Sequence, residues 1–370
     1  MFVLVANLGS TSFKYKLLDM SKNGAEAARG GYERIGQAGS PYRNHGDVID
    51  VVLKEIGRIP DAIGFKAVHG GPISGAVRVT DDVLATMEQF ADVAPAHNPP
   101  YIPAMRAFRE KLPGVPQVAA FETAFHQTIP AARQVYAIPH EWTEKLGIRR
   151  YGFHGASHRF IATRVPELVG IESSRRIISC HLGGSCSITA IEDGKSVANS
   201  FGMTAQSGVP HCNRVGDFDT FALLKLTKQG LSMEEIFRKL GKEGGMLGMS
   251  GVSPDMRDIE KAAADGNPRA KLAIDVFVES VRHFIGSYLV ALGGCDVLAF
   301  TGGIGENGVP LRSAICKNLQ WAGIDLDPEK NDVRGKETKI STDTSRTQIW
   351  IVPTNEELIV ARQTAAVLSG

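Results

Sequence analysis

VANLGSTSFKYKLLD, residues 5–19, reads as a strand, a turn of small hydroxyl-bearing residues and a second strand that ends in an acid. The apolar run before Asn7 and the alternation of Phe13, Tyr15 and Leu17 with Lys14 and Lys16 carry the period of a half-buried hairpin. SCHLGGSCSITAIED, residues 179–193, has the same order: strand, Leu-Gly, small polar turn, alternating strand, acid. Such an echo far along the chain implies duplicated domains, each presenting a small-residue hairpin.

A chain of 370 residues exceeds one ordinary core, so two domains are expected. Apolar residues at 43% and charged residues at 22% describe a soluble globular protein. The net charge of +1 gives no general attraction to nucleic acid or an anionic membrane, so any anion site must be local. Five cysteines, at 180, 186, 212, 295 and 316, form no CxxC pair, and their odd number fits free thiols in a reducing, cytoplasmic setting. The N-terminus has no signal-peptide pattern. The most apolar long segment, 272–292, contains Asp275, Glu279, Arg282 and His283 and reads as a buried helix, not a membrane span.

Around the two hairpins the pattern alternates. Strands are expected at 2–7, 13–18, 63–68, 118–121, 176–180, 297–300 and 350–352, and helices at 47–56, 81–90, 102–111, 254–264, 269–292, 310–319 and 356–366. PAHNPP, residues 95–100, reads as a turn too rich in proline for an element's interior. The result is an α/β protein with mixed sheets. The cut falls near 146/147, giving lobes 1–146 and 147–355, with the closing helix, about 356–370, packed back on the first.

Three strand ends carry small-residue turns: 7–12, 181–187 and 301–308. Backbone amides in such turns can converge on phosphate oxygens, and nearby lysines add charge. No GxxxxGK[ST] is present, and GGIGEN is not a complete dinucleotide fingerprint. The residues alone therefore point to a phosphate or nucleotide site, with ordinary tight turns as the alternative.

The segments taken together resemble the acetate kinase family. NLGSTSFKYKLLD and RRYGFHGASH (149–158) are similar to its two signatures. VHGG (68–71), APAHNPP (94–100), AFETAFHQTIP (120–130), CHLGG (180–184), NRVGDFD (213–219), SPDMRD (253–258), TGGIGEN (301–307) and VPTNEEL (352–358) follow in family order. The resemblance implies two duplicated ribonuclease H-like lobes, as in actin-like ATPases, with mixed sheets flanking a cleft. It implies a homodimer, and reversible phosphoryl transfer from ATP to a short-chain carboxylate to give acyl phosphate and ADP. It implies Mg2+ as the ion, with Mn2+ as its substitute, and neither nucleic acid nor membrane as a partner.

Residue by residue, the resemblance gives Arg214 the phosphoryl group and the acceptor carboxylate, which its rigid fork suits. His154 becomes a donor to the transferring group, and His126 lies in the same cleft. Asn7 and Glu356 become the Mg2+ positions, although Glu356 read alone is a helix cap. Ser10, Ser12 and Lys14 become phosphate contacts; Lys16, two positions on, shares the face of Lys14, toward either the cleft or solvent. The nucleotide falls to His181, Leu182, Gly183, Gly184 and Ser185, to Asp255, Met256 and Arg257, and to Gly303, Ile304, Gly305, Glu306 and Asn307. The acyl group falls to Lys66, Val68, Ala96, Phe153 and Ala205, with Glu122 at the family's catalytic aspartate position.

Several positions depart from the family pattern. Glu122 stands for aspartate and Lys66 for arginine. Ala96 and Ala205 stand for leucine and proline and remove bulk, which points to an acyl pocket wider than acetate requires. Gly302 replaces an alanine, read as a small change. SGVPHCNR, 207–214, replaces the usual approach to Arg214, with Pro210 and His211 expected to alter backbone freedom and charge there. These departures leave two alternatives beside the ATP-dependent reading: the same cleft with another donor, such as pyrophosphate, or another acceptor; and a nucleotide-binding regulator without catalysis.

Overall fold

The computed structural model describes residues 1–91 and 98–370, so the acyl-pocket candidate Ala96 lies outside the described residues. The opening hairpin forms as β1 (Phe2–Leu8) and β2 (Phe13–Asp19), with Leu8 opposite Phe13. Asn7 belongs to the strand, so the turn is Gly9–Ser12, closed by a hydrogen bond from the Gly9 amide to the Ser12 carbonyl. With β3 (Ala25–Tyr32), β4 (Ala62–Ala67), β5 (Ala76–Arg78) and β6 (Gln117–Phe121) it builds a sheet of order β3-β2-β1-β4-β6-β5.

The second hairpin, β7 (Arg176–Leu182) and β8 (Cys186–Glu192), starts a sheet completed by β9 (Lys195–Asn199), β10 (Val297–Thr301), β11 (Thr338–Lys339) and β12 (Gln348–Ile351). Its order, β9-β8-β7-β10-β12-β11, is that of the first sheet strand for strand. In both, the first strand pairs antiparallel with the second and parallel with the fourth. Both carry a register shift between second and third strands, at Leu17/Leu18 and at Ala190/Ile191. The repeat seen in the hairpins thus extends through whole sheets, which makes this the duplicated, mixed-sheet α/β fold.

The chain forms two compact units: Met1–Gln127 with His154–Phe160 and Asn355–Gly370, and Thr128–Phe153 with Ile161–Thr354. Residues 128–146, which a single cut at 146/147 assigns to the first lobe, group with the second unit. Thr128 Oγ1 donates to the Ser196 carbonyl at 2.7 Å, and Arg133 donates to the carbonyls of Val197 and Ala291. In the first unit, one sheet face packs on the helices His45–Ile56, Asp81–Gln89 and Asn98–Lys111 through Leu4, Phe65, Phe108 and Met105. The other face takes the closing helix Glu356–Ser369, whose Val360 and Ala361 sit on Val3 and Val5. In the second unit the 25-residue helix Pro268–Leu292, capped by Asn267, lays Phe277, Val281 and Ile285 into the core.

Two expectations change. The Asn98–Lys111 helix starts inside the proline-rich stretch, because Pro99 and Pro100 occupy its first turn, where the missing amide has no helical partner to lose. TGGIGENG is not an open turn: Gly302–Asn307 is helical, and Glu306 Oε1 accepts the Gly302 N–H at 2.9 Å. Gly302 itself has φ +76°, and a Cβ there would stand 2.7 Å from the Leu182 carbonyl oxygen. It is therefore a requirement of the local backbone, not a small change.

Candidate functional site

In the first unit, β4 and β6 run parallel and deliver Lys66 and Glu122 to one place. The closing helix adds Glu356 in its first turn. Lys66 Nζ hydrogen-bonds Glu356 Oε2 and lies 3.9 Å from Glu122 Oε1. Burial alone would discharge Lys66, but Glu356 and Glu122 outweigh it and hold its pKa above the usual lysine value. Glu122 is 4% exposed, and neither carboxylate oxygen has a hydrogen bond of good geometry. Burial pushes its pKa up to about 7; Lys66 and the Gly155 and Ala156 amides pull the other way, while Glu356 adds to the rise. A short cation and a long acid thus meet where the resemblance expects arginine and aspartate. Asn7 Oδ1 faces the Tyr101 hydroxyl at 3.4 Å, and that hydroxyl also accepts the Leu8 amide at 2.9 Å.

The sharp turn into the helix Gly155–Val169 places two further candidates. Gly155 packs so closely that a Cβ would meet the Glu122 carbonyl oxygen at 2.0 Å. Just before it, His154 takes φ +56°, a left-handed conformation that a non-glycine residue holds only when its surroundings impose it. The rings of His126, His154 and His158 form a chain, with centroids 5.8 Å apart for His126–His158 and 6.4 Å for His154–His158. In the opening hairpin, Ser10 and Lys14 are exposed and Ser12 is half-buried. Lys16 binds Glu357 at 3.1 Å, which ties β2 to the closing helix. Val68 is half-buried at the end of β4.

In the second unit, half-buried Arg214 donates from Nη1 to the Ala205 carbonyl at 2.6 Å. Burial lowers its pKa, and the groups acting on it are the Cys186 and Cys212 thiols, not a carboxylate. Phe153 is buried edge-on against Phe201, with centroids 5.5 Å apart. The expected charge from His211 is absent for a physical reason. His211 is 0% exposed, and burial, then Arg214, bring its pKa down to about 3. Its Nδ1 accepts the Cys186 amide at 3.0 Å, so the proton sits on Nε2, which faces the Ser207 carbonyl at 3.3 Å. The ring stacks on Phe201 and braces the hairpin end beside Gly183–Ser185.

A neutral buried histidine makes the fold acid-sensitive. Its folded value lies below the unfolded one, so between about pH 6.5 and 3 the unfolded chain holds the extra proton. As pH falls through that window, His211 should remove about 1.4 kcal/mol of stability per pH unit. Urea midpoints at pH 7, 6 and 5 should show the slope, and His211→Gln, which can keep both hydrogen bonds, should flatten it. Equal slopes in the two proteins would remove His211 as the cause.

One cavity of about 800 Å3 in the second unit gathers Gly183 and Gly184, Asp255, Met256 and Arg257, and Gly303, Ile304 and Asn307. Of the remaining nucleotide candidates, Leu182 and Gly305 are buried behind this lining, and Glu306 caps its own helix. His181 and Ser185 stand at the hairpin end outside the lining. The cavity adds Cys212, Pro254 and Gly308 from within the quoted segments, and Glu260 and Arg334, which no motif contains. Asp255 caps the helix Met256–Ala264 and pairs with Arg257 at 2.5 Å, which lowers its pKa to about 2. All five cysteines are free, and burial pushes Cys186, Cys295 and Cys316 up to about 12. Among the described residues no helix is long and apolar enough to cross a membrane.

A model of the acetokinase family matches residues 47–362. The chain belongs to that family. It is 45% identical to the acetate kinase of Dictyoglomus thermophilum, over all of this chain and 99% of that protein. The structure of the Porphyromonas gingivalis acetate kinase is similar with a TM-score of 0.92 and 38% identity, each chain covered to 99%. A propionate kinase from Francisella tularensis gives the same TM-score and coverage at 35% identity. Glu260 and Arg334 escaped the family motifs because nothing in their local sequence marks them; only the folded pocket brings them beside SPDMRD and TGGIGEN.

Proposed function

We propose that this acetokinase-family chain is a phosphotransferase with a carboxylate acceptor. A carboxylate oxygen of a short-chain acid attacks the γ-phosphorus of ATP, the bond to the ADP oxygen breaks, and acyl phosphate and ADP result; the reverse step regenerates ATP. The observation that carries this reading is the single cavity that collects Gly183–Gly184, Asp255–Arg257 and Gly303–Asn307, a nucleotide-sized space built by glycine-bearing strand ends.

Arg214 keeps the rest of its donor fork for the phosphoryl group and the acceptor carboxylate. His154, fixed in its left-handed conformation, donates to an oxygen of the transferring group. Lys66 offers its ammonium to the acceptor carboxylate, and Ser10, Ser12 and Lys14 serve the phosphates. No group of three or more His, Cys, Asp or Glu side chains suited to a metal occurs among the described residues. The hard-oxygen set of Asn7, Glu356 and the Glu122 carboxylate, whose oxygens have no hydrogen bond of good geometry, nevertheless fits Mg2+, which retains water and leans on substrate phosphate. Bound there, Mg2+ would offset the charge of the phosphate oxygens; Mn2+ has the same preference for oxygen donors. The chain works as a homodimer, a reading supported by Phe221, Leu224 and Phe237, which are 77, 59 and 59% exposed in the second unit.

The acceptor is larger than acetate. Alanine at 205 leaves room that proline would fill, and each added buried methylene is worth about 0.8 kcal/mol, or about fourfold in kcat/KM. A hydroxamate assay of acetate, propionate and butyrate against ATP, GTP and pyrophosphate tests donor and acceptor together. The expected result is acyl phosphate from ATP, with propionate or butyrate ahead of acetate. Preference for acetate would refute the wider pocket; preference for pyrophosphate would refute the donor; ADP binding without turnover would make the protein a regulator.

A further inference from the structure

Arg312 is 0% exposed, one of the largest side chains to be fully enclosed. Its guanidinium donates to Asn331 Oδ1 (2.8 Å), the Gly305 carbonyl (2.9 Å), the Asn331 carbonyl (2.9 Å) and the Val333 carbonyl (2.8 Å). Every acceptor is neutral. The groups that act on its charge are Arg334, which opposes it, and the Cys316 thiol, with no carboxylate among them. An enclosed cation without a counter-ion is a costly arrangement, and its position suggests why it persists.

Gly305 lies in the helix Gly302–Asn307, whose Gly303, Ile304 and Asn307 line the nucleotide cavity, and Val333 precedes the lining residue Arg334. The charged residues of the lining cancel, Arg257 and Arg334 against Asp255 and Glu260. A polyphosphate entering this cavity therefore meets no net positive charge from the wall itself. We propose that the enclosed Arg312 guanidinium is a positioning residue whose unneutralised charge, acting through the Gly305 segment, selects anionic nucleotides and is balanced only when polyphosphate is bound. In a low-dielectric interior a charge acts strongly across one layer of backbone. The inference rests on the nucleotide reading of this cavity.

A purely structural Arg312, pinning residues 331–333 to the helix, would affect all ligands alike; an electrostatic one acts in proportion to ligand charge. Binding of adenosine, AMP, ADP and ATP should be measured by calorimetry at low salt. In Arg312→Gln, ATP should bind about tenfold or more weakly and adenosine within about twofold of the parent, with AMP and ADP between. Arg312→Lys, which keeps the charge and loses the fork, should preserve the ATP-to-adenosine affinity ratio. Asn331→Asp leaves Arg312 in place and puts a carboxylate at its Nε, so it should produce the same graded loss even if Arg312→Gln does not fold. Equal losses along the series, or none, would overturn the inference while leaving nucleotide binding established. A parent protein that binds none of the four would overturn both.

Discussion

Replacing Arg214 with alanine is expected to lower kcat/KM for acyl phosphate formation by about 1,000-fold, roughly 4 kcal/mol of transition-state stabilisation. Among the described residues the side chain donates from Nη1 to the Ala205 carbonyl, so most of its donors are left for a ligand. It is held half-buried, beside two thiols that burial keeps protonated and a histidine that burial keeps neutral. A guanidinium stays charged under these conditions, and an anion that enters finds a fixed fork already desolvated. Alanine removes the fork but leaves the stacked Phe201–His211 brace, so the loss of stability should stay under about 1 kcal/mol. Arg214→Lys retains the charge without the bidentate geometry and should fall between the two. Turnover of an accepted carboxylate unchanged in Arg214→Ala would show that the arginine is not where the phosphoryl group passes.

Much of the fold was legible because hydrophobic period survives duplication. The two hairpins declare themselves through Phe13, Tyr15 and Leu17 and through Cys186, Ile188 and Ala190, all buried on alternate positions. β3 did not declare itself: AEAARGGY is exposed along most of its length and relies on pairing with β2 instead of an apolar face. Gly302–Asn307 carries the sequence signal of a turn because glycine marks turns and close approaches alike, and here it marks an approach to Leu182 within a helix. Motifs also label residues one by one and say nothing of which side chains share a neighbour. In the sequence Pro210 and His211 signal altered backbone freedom and charge near Arg214, and only burial shows that the ring is neutral. Arg312 carries no motif at all, since its meaning lies in four carbonyl and amide oxygens that the chain brings to it.

The same limit hid the unity of Lys66, Glu122 and Glu356, which the sequence presents as two separate departures and a cap. Their contact leads to the second large effect. Lys66→Ala should destabilise the first unit by roughly 3 kcal/mol, because removing one partner of an enclosed ion cluster leaves the others uncompensated. Glu122, 4% exposed and without a good hydrogen bond, would then face Glu356 with no cation between them. The closing helix would also lose its tie from Glu356 to β4, leaving Lys16–Glu357 as the ion pair between its first turn and the sheet. If the loss is electrostatic, removing a second charge should help. Lys66→Ala with Glu122→Gln should recover more than half of the deficit, measured by urea denaturation in chelator at pH 8, above the value of about 7 to which burial raises Glu122 in the parent. Additive losses in the double variant would mean that Lys66 supports the fold by packing its stem against the strands, and that the cluster is not one electrostatic unit.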